Sequence, residues 1–411
     1  MSPQPRRTPV LLAYAGFVLV GVKNGAVGVL LVAQMNDYGV NQATIGLTFF
    51  AGSAGYVVAS LSTGPLVSRF GFRIALAAAG GLAFLAGGLY LATRPPFVMF
   101  VLALVITGYG TGALESMLNA YLAAFDGATT LLNRLHAFFG VGALIGPVLA
   151  AWITGFASWR VVWLVMAAAC VPLAAGFLAA YPGRAGVAAP ETPGAPGASG
   201  TPVAPGVPDP APRGLLASAL RERGVLLGSA MLVVYVGLEI SVGNWAFSYL
   251  VQARGLPATV AGYLVSGYWL GLTLGRFLIS PVAARVGAST AAMMYTCLAG
   301  VTATIVLAWL SPTALLAGLV LMPLGFFLGP VFPTTMASAP RLTRPALVPT
   351  AIGVMNAASV GGGSALPWLA GLLAQGTGMW TLLPFSAALS LLQAVAWRPL
   401  AKRIRVSDGS T

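Results

Sequence analysis

The sequence predicts an all-α membrane protein of twelve transmembrane helices in two pseudo-symmetric six-helix bundles, on three grounds. Hydrophobic residues make up 58% of 411 positions and charged residues only 7%, with a mean hydropathy of +0.89. Apolar runs long enough to cross about 30 Å of hydrocarbon recur from end to end, which excludes an ordinary soluble domain. The chain also reads as one module written twice. Residues 21–71 align without a gap on residues 237–287, an offset of 216 that pairs Gly46 with Gly262, Gly55 with Gly271, Pro65 with Pro281 and Arg69 with Arg285. Two like halves in a membrane usually rock about a site at their interface, so the repeat already points to transport.

The first span, residues 10–32, follows Arg6 and Arg7 like the core of a secretory signal. It carries Lys23, lacks a small-residue cleavage site and matches the seventh span, so it reads as a retained helix. Apolar stretches bounded by Arg, Pro, Asn or Gly follow at 44–66, 74–93, 98–122, 135–156 and 161–180. The second half repeats the pattern at 225–250, 259–282, 289–310, 313–337, 346–374 and 380–397. The stretch from His136 to Pro147 aligns with that from Asn356 to Pro367 at an offset of 220, which makes helices five and eleven equivalent and gives both small residues for close packing. Helix ten holds Pro323, Pro330 and Pro333 with Gly325 and Gly329, and is expected to kink and serve as a hinge. Between the halves, residues 182–212 are too rich in Pro, Gly and Ala to bury a core and read as a disordered cytoplasmic tether. The expected domains are 1–181 and 213–411, on either side of it.

A net charge of +13 would suggest nucleic acid in a soluble chain, but placement explains it here. Assigning loops alternately puts Arg6, Arg7, Arg69, Arg73, Arg134, Arg184, Arg213, Arg221, Arg223, Arg285, Arg341, Arg344, Arg398, Lys402, Arg403 and Arg405 on one face. Arg94, Arg160 and Arg254 fall on the other. That asymmetry predicts a multi-pass protein of the cell (inner) membrane with both termini cytoplasmic, partnered by the lipid bilayer and not by nucleic acid. Cys170 and Cys297 lie inside apolar spans and suggest neither disulfide nor metal site. The Gly-rich segments carry no Walker-type lysine, so no cofactor is expected and transport would draw on gradients.

An ionisable residue in mid-membrane costs about 2.5–3.5 kcal/mol on insertion scales and is a functional-site hypothesis by default. Asp37, Asp126, Glu191, Asp209 and Asp408 fall in loops or tails and Glu222 just before span seven, leaving Glu115 and Glu239 well inside spans. Thr111, Glu115 and Asn119 share one face of helix four, a polar stripe that does not suit lipid. A glutamate alternately buried and opened to water can take up and release a proton, whereas the plainer reading is a structural hydrogen bond. Lys23 and Glu239 are equivalent under the offset of 216 and are expected to face one central cavity. They form a salt bridge across it, or each binds substrate, or Lys23 snorkels to an interface. Sugars need rings to stack on and neutral hydrogen-bonders, and Asn24, Asn119, His136, Asn244, Trp245, Tyr249, Tyr268, Trp269 and Asn356 supply both. Trp and Tyr also anchor helices at membrane interfaces.

The stretch Gly64-Pro-Leu-Val-Ser-Arg69-Phe-Gly71-Phe-Arg73 resembles the loop signature of the major facilitator superfamily between helices two and three. Gly275, Arg276, Pro281, Arg285 and Gly287 resemble its echo between helices eight and nine. The resemblance implies the major facilitator fold and a gating role for Gly64, Arg69, Gly71, Arg73, Arg276 and Arg285; Ser68 stands where the family usually carries an acid. Tyr235, Glu239, Trp245, Tyr249, Ala261-Gly262-Tyr263 and Gly275-Arg276-Phe277 resemble helices seven and eight of the fucose/galactose/glucose:proton symporter branch. Gly112-Ala-Leu-Glu115 with Asn119 resembles its helix four, where a glutamate followed by an asparagine is associated with proton-coupled sugar binding, and His136 falls where that branch carries a glutamine near the sugar. The branch's fucose transporter has an aspartate after an asparagine in helix one; here Asn24 is followed by Gly25. The resemblance implies a monomeric secondary transporter taking up a sugar or similar small neutral solute with protons, coupled at Glu115 and Glu239. Gly142, Gly146 and Pro147 resemble part of an antiporter signature, which keeps drug or solute efflux against protons open as the alternative. An enzyme is disfavoured, since one histidine and scattered acids offer neither a metal site nor a catalytic triad.

Overall fold

The computed structural model describes residues 6–125, 127–183 and 215–408, and these residues are helical with short turns and no strand. Residues 184–212 of the expected tether, with Asp126 and Arg213, lie outside the described residues. Among the described residues ten helical stretches are long and apolar enough to cross a membrane. One of them, Gln42–Ala92, runs for 51 residues, about 77 Å at the helical rise and more than twice the hydrocarbon thickness. It breaks at Gly71, whose φ of 75° and ψ of 164° are not helical, and therefore makes two spans. Ala258–Arg285, with 28 residues and two arginines, is about 42 Å long and crosses as well. The spans are then α1 (Arg7–Tyr38), α2 (47–70), α3 (72–92), α4 (Phe97–Ala123), α5 (Ala128–Thr154) and α6 (Trp159–Ala180). The second set is α7 (Arg223–Ser248), α8 (Ala258–Arg285), α9 (Thr290–Leu310), α10 (Ala314–Ala337), α11 (Val348–Thr377) and α12 (Leu382–Asp408).

Apolar pattern, caps and breakers explain most boundaries. Ser158, Ser289 and Thr313 accept hydrogen bonds from the first-turn amides of α6, α9 and α10, satisfying donors that a helix start leaves open. The proline-rich α10 is broken into Ala314–Leu319, Leu321–Leu328 and Val331–Ala337, as prolines that remove amide donors dictate. Two features escape the sequence pattern, a π-helical opening of α3 at Leu76–Leu82 and a π-turn, Tyr249–Ala253, that prolongs α7. α1 runs on to Tyr38, past the expected end at residue 32, so Asp37 sits at a helix end and not in a loop. Leu102, Val171, Leu307 and Val395 point outward, which in a bilayer places hydrocarbon against hydrocarbon.

Lipid gives helices no hydrophobic reason to associate, so close backbone contact through small residues carries the packing. A side chain on Gly21 would strike the Phe139 carbonyl of α5, and one on Gly142 the Val18 carbonyl of α1. The second half repeats the arrangement, with Gly237 against Leu366 and Gly362 against the Val233 carbonyl, joining α7 to α11. Gly55 nests on the Val105 carbonyl of α4, and its repeat partner Gly271 nests on the Met322 carbonyl of α10. The turns repeat too. Gly39 and Gly255 have φ of 64° and 67°, and Gly71 and Gly287 have φ of 75° and 68°; each pair is related by the offset of 216.

The halves meet toward the face opposite the described termini. There a Cβ on Gly28 of α1 would lie 2.7 Å from the Asn244 carbonyl oxygen of α7. Phe49 packs edge-on against Trp245 at 6.1 Å, Phe50 against Trp368 at 6.0 Å, and Ser364 Oγ donates to Ser53 Oγ at 2.7 Å. Gly262 of α8 abuts Pro147 and Ala151 of α5. At the terminal face His136, Ile352, Asn356 and Arg285 are exposed and Gly353 has no neighbouring atom in reach of a Cβ. The interface between the halves is thus shut on one side and open on the other.

Gly71→Ala and Gly287→Ala should each lower stability by about 1–2 kcal/mol, the cost of a Cβ in the left-handed half of backbone space. Thermal unfolding of purified protein checks this, with Gly353→Ala, helical with open space and ordinary φ, as the control that should lose no stability.

Candidate functional site

Four charged side chains lie in the middle of the described spans: Lys23 on α1, Glu115 on α4, Glu239 on α7 and Arg276 on α8. Each stands at least eight residues from either end of its helix, about 12 Å in from the nearer end; Arg398 of α12 stands as far in but is exposed and opens the basic run of the terminal face. Their mutual fields place them together: Glu115 feels both Lys23 and Arg276, and His136 of α5 feels Arg276. Residues from both halves therefore converge at the interface, at mid-depth.

The charges are not paired as the repeat suggests. Glu239 accepts from Arg276 Nη2 at 2.8 Å within the second half, and the Glu239 carboxylate is nearly enclosed. Of the readings open for Lys23 and Glu239, a bridge between them is not formed, because the forked guanidinium of the adjacent helix takes the carboxylate. Arg276, read from the sequence as part of a gating echo, is thus a member of the central site. The plain signal for it was a charge deep inside the span predicted at 259–282. On the other side Lys23 is half-buried and makes no ion pair and no hydrogen bond among the described residues; Glu115 is the carboxylate whose field it feels. Tyr56 of α2, not singled out above, lies close enough for its hydroxyl and the Glu115 carboxyl to feel each other. Ser60, one turn further along α2, lies 3.3 Å from Ser116.

The remaining candidates divide. Asn119 stays beside Glu115, its amide donating to the Glu115 backbone oxygen at 2.8 Å. Asn24 adjoins Lys23 and is half-buried. His136 is exposed to the open side, its ring edge-on to Phe17 at 5.6 Å. Tyr268 is fully buried and its hydroxyl donates to the Glu239 carbonyl at 2.9 Å; its donor is already engaged. Trp245 is fully enclosed, its indole donating to the Pro367 carbonyl at 2.8 Å, so it works as packing in the closed end. Asn244 is buried at the same α1–α7 crossing. Tyr249, expected near substrate, instead accepts from Arg254 Nε at 2.6 Å, and that arginine also holds the Ala308, Trp309 and Ser311 carbonyls. It belongs to the far-face connection between α7 and α9. Asn356 is exposed on α11 and contacts none of the four charges among the described residues. Gly64, Arg69, Arg73 and Arg285 are exposed at the terminal face, where Gly71 turns the chain, away from the four charges.

Three polar atoms around the second-half pair are buried without a well-formed hydrogen bond: the Tyr235 hydroxyl, the Trp269 indole nitrogen and Arg276 Nε. Each such group costs about 1–3 kcal/mol while unsatisfied. Together with the charged and amide groups across the interface they form a polar enclave in an otherwise apolar bundle. Among the described residues there is no group of His, Cys, Asp and Glu fit to hold a metal ion.

Comparison with known proteins agrees with this architecture. The chain is 26% identical over 384 residues to the yeast protein Bypass of stop codon protein 6 of Saccharomyces cerevisiae, covering 88% of this chain and 76% of that one. It is 25% identical over 271 residues to a glucose/galactose transporter of Brucella abortus, covering 61% of this chain and 60% of that protein. Its fold superposes on the crystal structure of a mutant of the nucleoside transporter NupG with a TM-score of 0.75 at 14% identity, over 96% of this chain and all of the other. The model of the Major Facilitator Superfamily matches residues 13–367, and with twelve spans in two repeated sets around an interfacial polar site, the chain belongs to that superfamily of membrane transporters.

Proposed function

We propose that this protein is a secondary active transporter that couples uptake of a small hydroxyl-rich solute, a sugar or a close chemical relative, to proton entry through Glu115. The observation that carries the reading is the enclave itself: an acid with no cationic partner in contact, facing a tyrosine hydroxyl, at the junction of two rocking halves. A carboxyl in such a place is neutral when sealed in apolar surroundings and ionises when water reaches it, which ties its proton to the conformational cycle. The buried unsatisfied donors beside Glu239 and Arg276 suit a solute rich in hydroxyl groups.

The excess of arginine at the terminal face supports cytoplasmic termini in a cell (inner) membrane. With that orientation the described conformation is inward-facing, shut toward the outside by α1–α7, α2–α11 and α5–α8 contacts. The divided α10 is the hinge through which the second half would rock. The Asp37–Arg94 ion pair and the Arg254 carbonyl clamp hold the outer ends of each half rigid during that movement. The unit of transport is a monomer.

Glu115→Gln should abolish uptake driven by a proton gradient in proteoliposomes while sparing solute counterflow, because glutamine mimics the protonated acid. Acidification of the lumen on adding one sugar, lost in the variant, is the expected result. Proton movement driven by a gradient of a hydrophobic cation and indifferent to sugars would assign the protein to efflux antiport instead. A second expectation concerns the closed end. Ser53→Cys with Ser364→Cys places two thiols where hydroxyls lie 2.7 Å apart, while native Cys170 and Cys297 are buried. Oxidation should cross-link the pair and stop transport, with full recovery on reduction; undiminished transport by the cross-linked protein would overturn alternating access at this seam.

A further inference from the structure

The charges at the interface do not cancel pair by pair. Glu239 and Arg276 answer each other at 2.8 Å. Lys23 has only the longer-range field of Glu115, and no other carboxylate faces it from α5, α6, α7 or α8, which pack against α1, among the described residues: α6 carries no acid, His136 and Arg276 are neutral or cationic, and Glu239 is taken. When Glu115 ionises, its charge balances Lys23 through their mutual field, without an ion pair in contact. When Glu115 carries a proton, Lys23 becomes the one mid-span charge of the described chain without a counter-charge. A neutral sugar offers that ammonium only hydroxyl dipoles, whereas a carboxylate offers a full opposite charge and a charge-assisted hydrogen bond.

We propose that the transported solute is a polyhydroxylated monocarboxylate, a sugar acid, whose carboxylate sits on the Lys23 ammonium while Glu115 holds the accompanying proton. This rests on the proton-coupled reading above and narrows its solute. From the outside the Glu115 carboxylate takes one proton and becomes a carboxylic acid, and the solute anion replaces it as partner of Lys23. On the inside the anion leaves, Glu115 releases its proton to water, and its carboxylate again balances Lys23 in the empty carrier. One anion and one proton cross per cycle, so no net charge moves. The hydroxyl groups of the solute meet Asn24, Asn119, the Tyr235 hydroxyl and the Trp269 indole N–H.

The experiment is uptake of radiolabelled D-gluconate, D-glucuronate and D-glucose into proteoliposomes of the full-length protein with an acidic exterior, with the membrane potential either free or clamped at zero. Expected is acid uptake driven by the pH difference and unchanged by the clamp, with glucose at least ten-fold slower. Lys23→Gln should cut acid uptake about 10- to 100-fold, as loss of a charged hydrogen bond does, and Lys23→Arg should retain a large part of it. Proton-driven glucose uptake equal in wild type and Lys23→Gln, with the acids not carried, would overturn the carboxylate seat and leave proton-coupled sugar transport standing. Silence of folded wild-type protein toward all three would overturn both. If Lys23→Gln does not fold, the wild type decides alone. Gluconate then has to raise its melting temperature where glucose does not, and acid uptake that responds to the potential clamp would sink the proposal.

Discussion

A charge in the hydrocarbon layer has to be answered by an opposite charge, by hydrogen bonds or by water, and four of them lie at mid-depth among the described residues. None can face lipid at acceptable cost, so α1, α4, α7 and α8 must all turn one face toward the same interior space. That requirement places these four helices at the centre and leaves the leucines and valines of α4, α6, α9 and α12 to meet the lipid. It also explains why the site lies between the halves. An interface that opens to water in turn on each side is where an ionisable group can be tolerated in both states.

The duplicated module supplies the scaffold, and divergence within it supplies the chemistry. Backbone geometry has been kept: positive-φ glycines recur in pairs at residues 39 and 255 and at 71 and 287, and Gly55 and Gly271 nest on equivalent helices. These positions admit no side chain or no other conformation, so the two halves share a shape. Side-chain charge has not been kept. Lys23 corresponds to Glu239, Ser60 to Arg276 and Tyr38 to Arg254. The second half therefore closes its own ion pair, while the first half leaves Lys23 and Glu115 apart with Tyr56 at hand. The symmetric part gives both halves one shape; the asymmetric part gives each its own arrangement of charge.

The fold was largely legible in the sequence because span length, apolar content and small-residue repeats act locally. Every expected span has its helix, and the prolines of α10 break it as expected. The site was legible in its members more than in its pairings. Glu115, Asn119, Glu239 and Lys23 stood out as polar residues at depth. Trp245, Tyr249 and Tyr268 stood out equally, and nothing along the chain says that their polar atoms are spent on the Pro367 carbonyl, on Arg254 and on the Glu239 carbonyl. Tyr56 could not be told from the other tyrosines, since its meaning depends on which helix lies opposite.

By itself the sequence determined a twelve-span membrane protein of two like halves with a few ionisable residues held inside it, because burial in lipid constrains length, polarity and period one segment at a time. Only the tertiary structure decided that Glu239 belongs to Arg276, that Lys23 makes no ion pair or hydrogen bond among the described residues, and that the interface is shut on the far side. Those outcomes depend on distances of 3 to 4 Å between segments far apart in the chain, where ion pairs and hydrogen bonds are made or lost.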